Sequence, residues 1–395
     1  MFSPRKIAEK LERAAIHMIE HSPMYNDEPL FKVGFHLQRH TIEQVAQANE
    51  HLDAVRDDPR RRDEEGHIIY SPEEIRWMRN ERMLCMCDFL YWATRYAFII
   101  DWQGELVRFG PNLPQRIILN VFAEMEEKGI AILVQILKAR QEGVTTLSQL
   151  IALWRTMFTP YMNTLVASSR PEKSTEMAQK MELTFEHLPY WLGPKIETYN
   201  VGELIGFDSQ NSQINIRHGS AKSGMGRGST VLTFHLSEVA EFLDPDEQID
   251  AALIRAAHDN PNLIGILEST GAGREGWWYD KWKFNVRFWP MHQSRLCPIF
   301  LPWYILRDIY PTPSWEIAHP IPKDHQFLDI TEAHAARAEA YVRSGENKIL
   351  TEALGESWTM PPEQKWFWES TRNEYVISKK LHLFYQELCA DDKEA

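Results

Sequence analysis

The chain has 395 residues, 44% of them hydrophobic and 11% aromatic with 14 Trp, and it carries a formal net charge of −13. This length and composition describe a folded protein of one large domain with a satellite, or of two ordinary domains, and exclude a disordered chain. The acidic balance excludes a diffuse, histone-like affinity for nucleic acid and leaves only local contact with it. Residues 1–30 are charged throughout and no apolar run is long enough to span a bilayer, so neither a secretory signal nor membrane insertion is expected. Cys85, Cys87, Cys297 and Cys389 fit neither a disulfide framework nor paired zinc spacing, and reduced thiols in a cytosolic compartment are expected.

Helical periodicity opens the chain at Ile7, Leu11, Ala14, Ala15, Met18 and Ile19, interrupted by Pro23 and Pro29. The mixed-charge run 57–65, with Arg60, Arg61 and Arg62, reads as an exposed connector. Ser71-Pro72-Glu73-Glu74 has the form of an N-cap with Pro at the first helical position, opening a helix toward Ala93. Residues 111–115 precede a helix that runs to Glu127. Gln115 carries a donor and an acceptor on one side chain, as reading an adenine edge requires, but a solvent-facing residue at a helix start looks the same.

Residues 130–137 form a nearly unbroken apolar and β-branched run, as a central strand covered on both faces requires. After the polar turn 138–146, Leu147, Leu150, Ile151, Trp154 and Phe158 recur at helical spacing. Strand, tight turn with one Gly, then helix is the geometry in which free N–H groups at a helix start hold an anion. A second strand at 163–168 and a second helix at 171–185 complete a β-α-β-α pattern, which implies an α/β fold with a parallel sheet.

Residues 212–217 alternate as a half-exposed strand, and the glycine-rich, basic loop 219–229 follows with Lys222 and Arg227. A strand at 230–236 ends in Ser237-Glu238, which places an acid where ligands bind in open α/β sheets. A helix at 246–257 leads to a strand at 263–267 and the polar turn Glu268-Ser269-Thr270-Gly271-Ala272-Gly273. From Arg274 the sequence reads as aromatic-rich and irregular, and the last part, with helical stretches at 332–342 and 379–388, as a small second subdomain.

A standard phosphate loop spells Gly, four residues, then Gly-Lys-Ser/Thr. Gly143 and Thr145 hold the sixth and eighth places, but Val144 stands where the Lys belongs, and the lysine is at the first place, Lys138. The alternative is a helix-start turn with incidental charge. Glu238 strengthens the nucleotide reading, because hydrolysis needs a carboxylate to polarise the attacking water. The Asp expected just before it, which would hold Mg²⁺, is Ser237; its hydroxyl can hydrogen-bond a metal-bound water but brings no charge, so the ion would rest more heavily on Thr145 and the phosphates.

These residues resemble the ATPase domain of the large terminase subunit of tailed bacteriophages, the motor that packages viral DNA. The resemblance spans roughly 90–395 and rests on the lysine-shifted loop Lys138-Ala139-Arg140-Gln141-Glu142-Gly143-Val144-Thr145-Thr146, the acidic strand end at 235–242 and the coupling motif at 268–273. It implies a P-loop NTPase of the additional-strand, catalytic-Glu type, binding ATP and Mg²⁺, with an N-terminal helical region at 1–94, the ATPase core at 95–305 and a lid or linker subdomain at 306–395. Gln115 would match the adenine contact. Arg140 would match the loop arginine, either a sensor in cis or a finger toward a neighbouring subunit's phosphate. Ser269, Thr270 and Gly271 would match the motif that relays loss of the γ-phosphate to the lid. The implied partners are double-stranded DNA, a portal protein and the small terminase subunit. The chain would be a monomer in solution and a ring on the portal, in the host cytoplasm and absent from the mature virion. It ends about where the ATPase part of the family ends, so no nuclease activity is expected. A helicase-like motor and a non-catalytic assembly protein with a decayed site remain the rivals.

Overall fold

The computed structural model describes residues 2–21, 38–200, 202–219, 231–246, 249 and 260–394. The helix expected at 246–257 and the basic loop with Lys222 and Arg227 lie largely or wholly outside these residues.

The described residues form ten strands in chain order: β1 (Phe98–Ile100), β2 (Leu106–Arg108), β3 (Ile132–Lys138), β4 (Asn163–Ser168), β5 (Thr198–Asn200), β6 (Leu204–Phe207), β7 (Ser212–His218), β8 (Thr233–Ser237), β9 (Ile264–Ser269) and β10 (Cys297–Leu301). Among the described residues, β1 and β2 make a separate hairpin and the others form one sheet in the order β10-β3-β9-β8-β4-β7-β6-β5. From β10 to β7 every pairing is parallel, and β6 and β5 are antiparallel additions at the edge. The strand that feeds the turn at 138–146 and the strand that ends in Glu238 are therefore not neighbours, because β9 lies between them. A parallel sheet with one strand inserted between the loop strand and the acidic strand is the additional-strand P-loop NTPase architecture.

Alternation along the strands sorts their side chains onto two faces. Leu133, Leu165, Phe234, Leu236 and Leu267 share one cluster with Trp278 and Leu296. Val134, Ile136, Val166, Ile216, Ile264 and Ile266 face the other way, into a core that also takes Leu147, Leu150 and Ile151 from the helix Val144–Phe158. Gly265 is obligatory between β3 and β8, since a Cβ there would stand 2.2 Å from the Phe234 ring and 2.6 Å from Leu133.

The N-terminal helices, among them Pro72–Cys87 and Phe89–Tyr96, cover the outside of Val144–Phe158. Ser71 caps the first of these by a reciprocal exchange with Glu74. Trp154 meets Phe89 edge-on at 5.6 Å and donates its indole N–H to the Cys85 carbonyl at 2.7 Å. The C-terminal helices Asp329–Ser344 and Pro362–Ile377 join the same core through Ala335, Ala338, Val342 and Trp368. All four cysteines are buried free thiols, and no described helix is long and apolar enough to cross a membrane.

The structure corrects the sequence reading in five places. The helix expected from Ser71 toward Ala93 stops at Cys87, and Asp88 caps a second one, Phe89–Tyr96. Glu268 and Ser269 end β9 instead of opening a turn. The segment after Arg274 is ordered rather than irregular, with the helix Trp277–Phe288 and the edge strand β10. The hairpin β1–β2 was not anticipated, nor were β5 and β6. Lys138 ends β3 instead of opening the turn, and the helix begins at Val144 rather than 146.

Candidate functional site

The carboxyl edge of the parallel strands brings together residues from β3, β8 and β9. Lys138 leaves β3 opposite Leu301 of β10 and lies on the sheet face of Val134 and Ile136. On β8 that face carries His235 and Ser237, and on β9 it carries Glu268, which is paired in register with Ser237. Lys138 Nζ stands 3.1 Å from Glu268 Oε2 and 3.7 Å from Glu238 Oε1. The Thr145 hydroxyl donates to Glu268 Oε1 at 2.5 Å, and His235 Nε2 stands 3.2 Å from the same oxygen.

Glu268 has no exposed surface and Lys138 only 8%. Burial alone would raise the Glu268 carboxyl; the Lys138 ammonium, His235 and the Thr145 hydroxyl outweigh it and hold the acid well below its ordinary value. Burial likewise works against the Lys138 charge, but Glu268 and then Glu238 keep it protonated. The cluster is thus a charged network in a dry place, where electrostatic contacts are strong.

Glu238 follows β8 in the left-handed region, at φ 57° and ψ 45°, a strained backbone for a residue with a side chain. Its Oε2 lies 3.5 Å from the Ser269 hydroxyl, which also accepts the Ala240 N–H at 3.3 Å. Ser269 therefore fixes the turn that aims the half-exposed Glu238. Thr270 lines the adjoining cleft, and Gly271 is buried behind it.

Gln141, at φ 60°, and Gly143, at φ 73°, bend the loop into the helix start at Val144. Alternation of left-handed and ordinary backbone turns N–H groups inward to make an anion-binding hollow, and the first-turn donors of the helix open into it. Ala139 and Val144 are buried, and Thr146 is half-buried in the first helical turn. Gln115 is buried, and its amide is engaged within the chain: Oε1 accepts from the Asn112 N–H at 3.0 Å, and Nε2 donates to the Gly143 carbonyl at 2.8 Å. It holds the loop in place here. Glu142 is buried without a hydrogen-bond partner for either carboxylate oxygen, and burial raises its carboxyl well above the usual range. Arg140 points out of the loop to Glu387 at 2.9 Å, while its carbonyl accepts from the Tyr310 hydroxyl at 2.8 Å.

These groups border a cleft of about 530 Å³ whose far wall is the start of the helix Pro171–Glu186. Lys138, Arg140, Arg170, Lys173 and Lys180 line it along with Glu176, Glu238 and Glu241; Lys138 is held by Glu268 and Glu238, Arg140 by Glu387, Arg170 stands 3.9 Å from Glu241 and Lys173 3.1 Å from Glu176. The sequence reading missed Arg170, Lys173 and Lys180, although Arg170 and Lys173 open a helix after a parallel strand at the same edge and Lys180 lies farther along it. It gave no role of its own to His235 or to Glu268, the latter read only as the first residue of the turn at 268–273. Glu268 lies on β9, and the neighbour relation of β8 and β9 was not visible in the sequence. Arg60, Arg61 and Arg62 lie away from this edge and are engaged by Asp58, Glu74 and the carbonyls of Arg56 and Gly66. Among the described residues, no group of three or more His, Cys, Asp and Glu has metal-holding geometry.

No family model and no curated protein sequence matches the chain. Solved structures with a similar backbone arrangement include the large terminase of bacteriophage HK97, at 13% identity and a TM-score of 0.48 over 77% of this chain and 54% of that one. The large terminase of a thermophilic bacteriophage, in complex with ADP, aligns at 12% identity and a TM-score of 0.38, over 51% of this chain and 48% of its own. The ATPase domain of the Thermus phage P74-26 large terminase aligns at 13% and 0.35, over 55% of this chain and 95% of its own. The chain spans about half the length of the HK97 protein. Strand order, and not these distant likenesses, carries the fold.

Proposed function

We propose that this chain binds and hydrolyses ATP as the motor domain of a phage-type large terminase, driving double-stranded DNA into a procapsid. The observation that carries the reading is the joining of Lys138, Thr145, Glu238 and Glu268 at one strand edge, beside an anion-shaped loop and a cleft lined by basic side chains. In this reading a phosphate oxygen takes over Lys138 from Glu238, and the freed Glu238 carboxylate accepts a proton from the attacking water. Loop N–H groups and Lys138 bear the charge that develops on the phosphoryl oxygens. Ser269 holds Glu238 in its turn and so senses whether Glu238 is engaged.

Magnesium fits the donor chemistry, since the groups at this edge are hard oxygens. Thr145, with Ser237 through a water, would hold it, and the bound ion would neutralise phosphate charge. Arg140 would have to leave Glu387 before it could serve a phosphate in the same subunit or a neighbour's. Portal protein, small terminase subunit and assembly into a ring on the portal belong to the same proposal, as does location in the host cytoplasm.

Turnover tests the reading. The unaltered chain is expected to hydrolyse ATP, and Glu238→Ala to lose at least about a hundredfold in kcat while still binding an ATP analogue. Wild-type turnover in that variant would remove Glu238 from the mechanism. Ser237 favours one rival, a decayed site, and a chain that gives no calorimetric signal with ATP would establish it. Strand separation on a forked duplex would decide for a helicase-like motor.

A further inference from the structure

The acid that a phosphate-loop site places before its catalytic glutamate is missing here, and Ser237 stands in its position. The sheet restores a charge one strand away. Ser237 and Glu268 are registered partners on β8 and β9, so their side chains leave the same face of the sheet. Adjacent strands lie about 4.8 Å apart, and a glutamate is one methylene longer than an aspartate, so a Glu on β9 reaches back toward the place an Asp on β8 would occupy. Its Oε1 accepts the hydroxyl of Thr145 at 2.5 Å, the loop residue whose hydroxyl a magnesium ion would use.

We infer that Glu268, and not residue 237, is the carboxylate that positions the magnesium of the bound nucleotide, with Ser237 kept small so that the longer acid fits beside it. The inference rests on the nucleotide reading above. Glu268 acts as a positioning residue: it orients the Thr145 hydroxyl and supplies the negative charge that residue 237 does not. Its own setting is fixed by Lys138 on one oxygen and by Thr145 and His235 on the other, in a place closed to bulk water. Such orienting partners typically set metal affinity over roughly tenfold to a hundredfold. A carboxylate that served only as the counter-ion of Lys138 would have no need of the Thr145 hydroxyl, and its neutralisation would alter affinity for metal-free and magnesium-bound nucleotide alike.

The experiment is calorimetric titration of the full chain with a non-hydrolysable ATP analogue, with magnesium and then with chelator. The quantity read is the gain in affinity that magnesium brings. In Glu268→Gln, which keeps an acceptor for Thr145 and removes the charge, that gain is expected to fall about tenfold or more, while affinity in chelator is unchanged or higher. Ser237→Asp in the otherwise unaltered chain is expected to leave the gain the same or smaller, because the new acid sits beside one already there. A full magnesium gain in Glu268→Gln overturns the inference, as does a gain about tenfold larger in Ser237→Asp, which also decides the matter should the glutamine variant not fold. No binding by the unaltered chain under either condition overturns the nucleotide reading, and this inference with it; binding by the unaltered chain leaves the two separable.

Discussion

At Gly143 the loop depends on one absent side chain. Its φ of 73° is open to glycine, and a Cβ there would stand 2.6 Å from Gln115 Nε2, the atom that donates to the Gly143 carbonyl. Gly143→Ala is therefore expected to lose about 2 kcal/mol, from left-handed backbone and a displaced hydrogen bond together. Gln115→Ala, which loses this bond and the one its Oε1 accepts from the Asn112 N–H, should lose about 2 kcal/mol without any backbone cost. Urea midpoints of the two variants check these losses, and a Gly143→Ala midpoint equal to that of the unaltered chain would mean that neither the left-handed backbone nor the bond contributes. Much of this residue-scale chemistry was legible. Gly143, Thr145 and Glu238 stand out by spacing alone. Glu268 was in view as the first letter of a polar turn, but its meaning depends on which strand lies beside β9, and no local pattern states that.

Among elements, legibility followed the strength of the periodic signal. The helix Val144–Phe158 and the strands β3 and β4 are long and apolar, so period and length agree. The edge strand β10 hid behind Pro298, a residue that argues against a central strand. As an edge strand among the described residues it pairs with β3, and a missing N–H can be tolerated there. The helix Trp277–Phe288 buries Trp278, Trp282 and Asn285, at i, i+4 and i+7, a stripe obscured by aromatic residues on every side. Short β5 and β6 flank the glycine at position 202 and offer too few residues to show alternation.

The helix Asp329–Ser344 presents a titration that can be measured. His334 is buried with its ring stacked 4.2 Å from Trp368, and burial, then Arg337, lower its pKa to about 3. Glu394 Oε2 lies 3.7 Å from Nδ1, too far for a hydrogen bond to restore the charge. The folded state thus keeps the ring neutral at a pH where the unfolded chain takes up a proton near about 6.5. The unfolded state then binds more protons, so stability is complete above about pH 6.5 and falls as the pH drops toward 3, by about 2 kcal/mol between 6.5 and 5. His334→Phe keeps a ring in the stack and should flatten that interval. Urea unfolding at both pH values checks it, and an unchanged slope would exclude His334 as the source.

For the whole molecule, the parallel sheet and its α/β class followed from the β-α-β-α order, whereas the attachment of the ends did not. The N-terminal helices and the C-terminal helices meet the core through large aromatic residues, and such contacts join positions too distant in sequence for any period to reveal. The overall charge of −13 also gave no sign of the basic side chains around the cleft, because the five of them, between positions 138 and 180, are gathered at one edge by β3, β4 and the helix after β4, with β9 and β8 lying between those two strands in the sheet.

Arg140 is shared between the loop and the C-terminal helix Leu381–Glu387, through Glu387 at 2.9 Å, and Tyr310 grips its carbonyl. Any ligand that draws this guanidinium inward must spend part of its binding free energy on breaking this ion pair, and by thermodynamic reciprocity a loop already free of the helix must bind that ligand more tightly. Glu387→Gln is accordingly expected to tighten binding of an ATP analogue about fivefold. Amide exchange across Leu381–Glu387 should accelerate when the analogue binds to the unaltered chain. If exchange there is the same with and without the analogue, Arg140 stays on Glu387 throughout, and the two ends of the molecule do not communicate by this route.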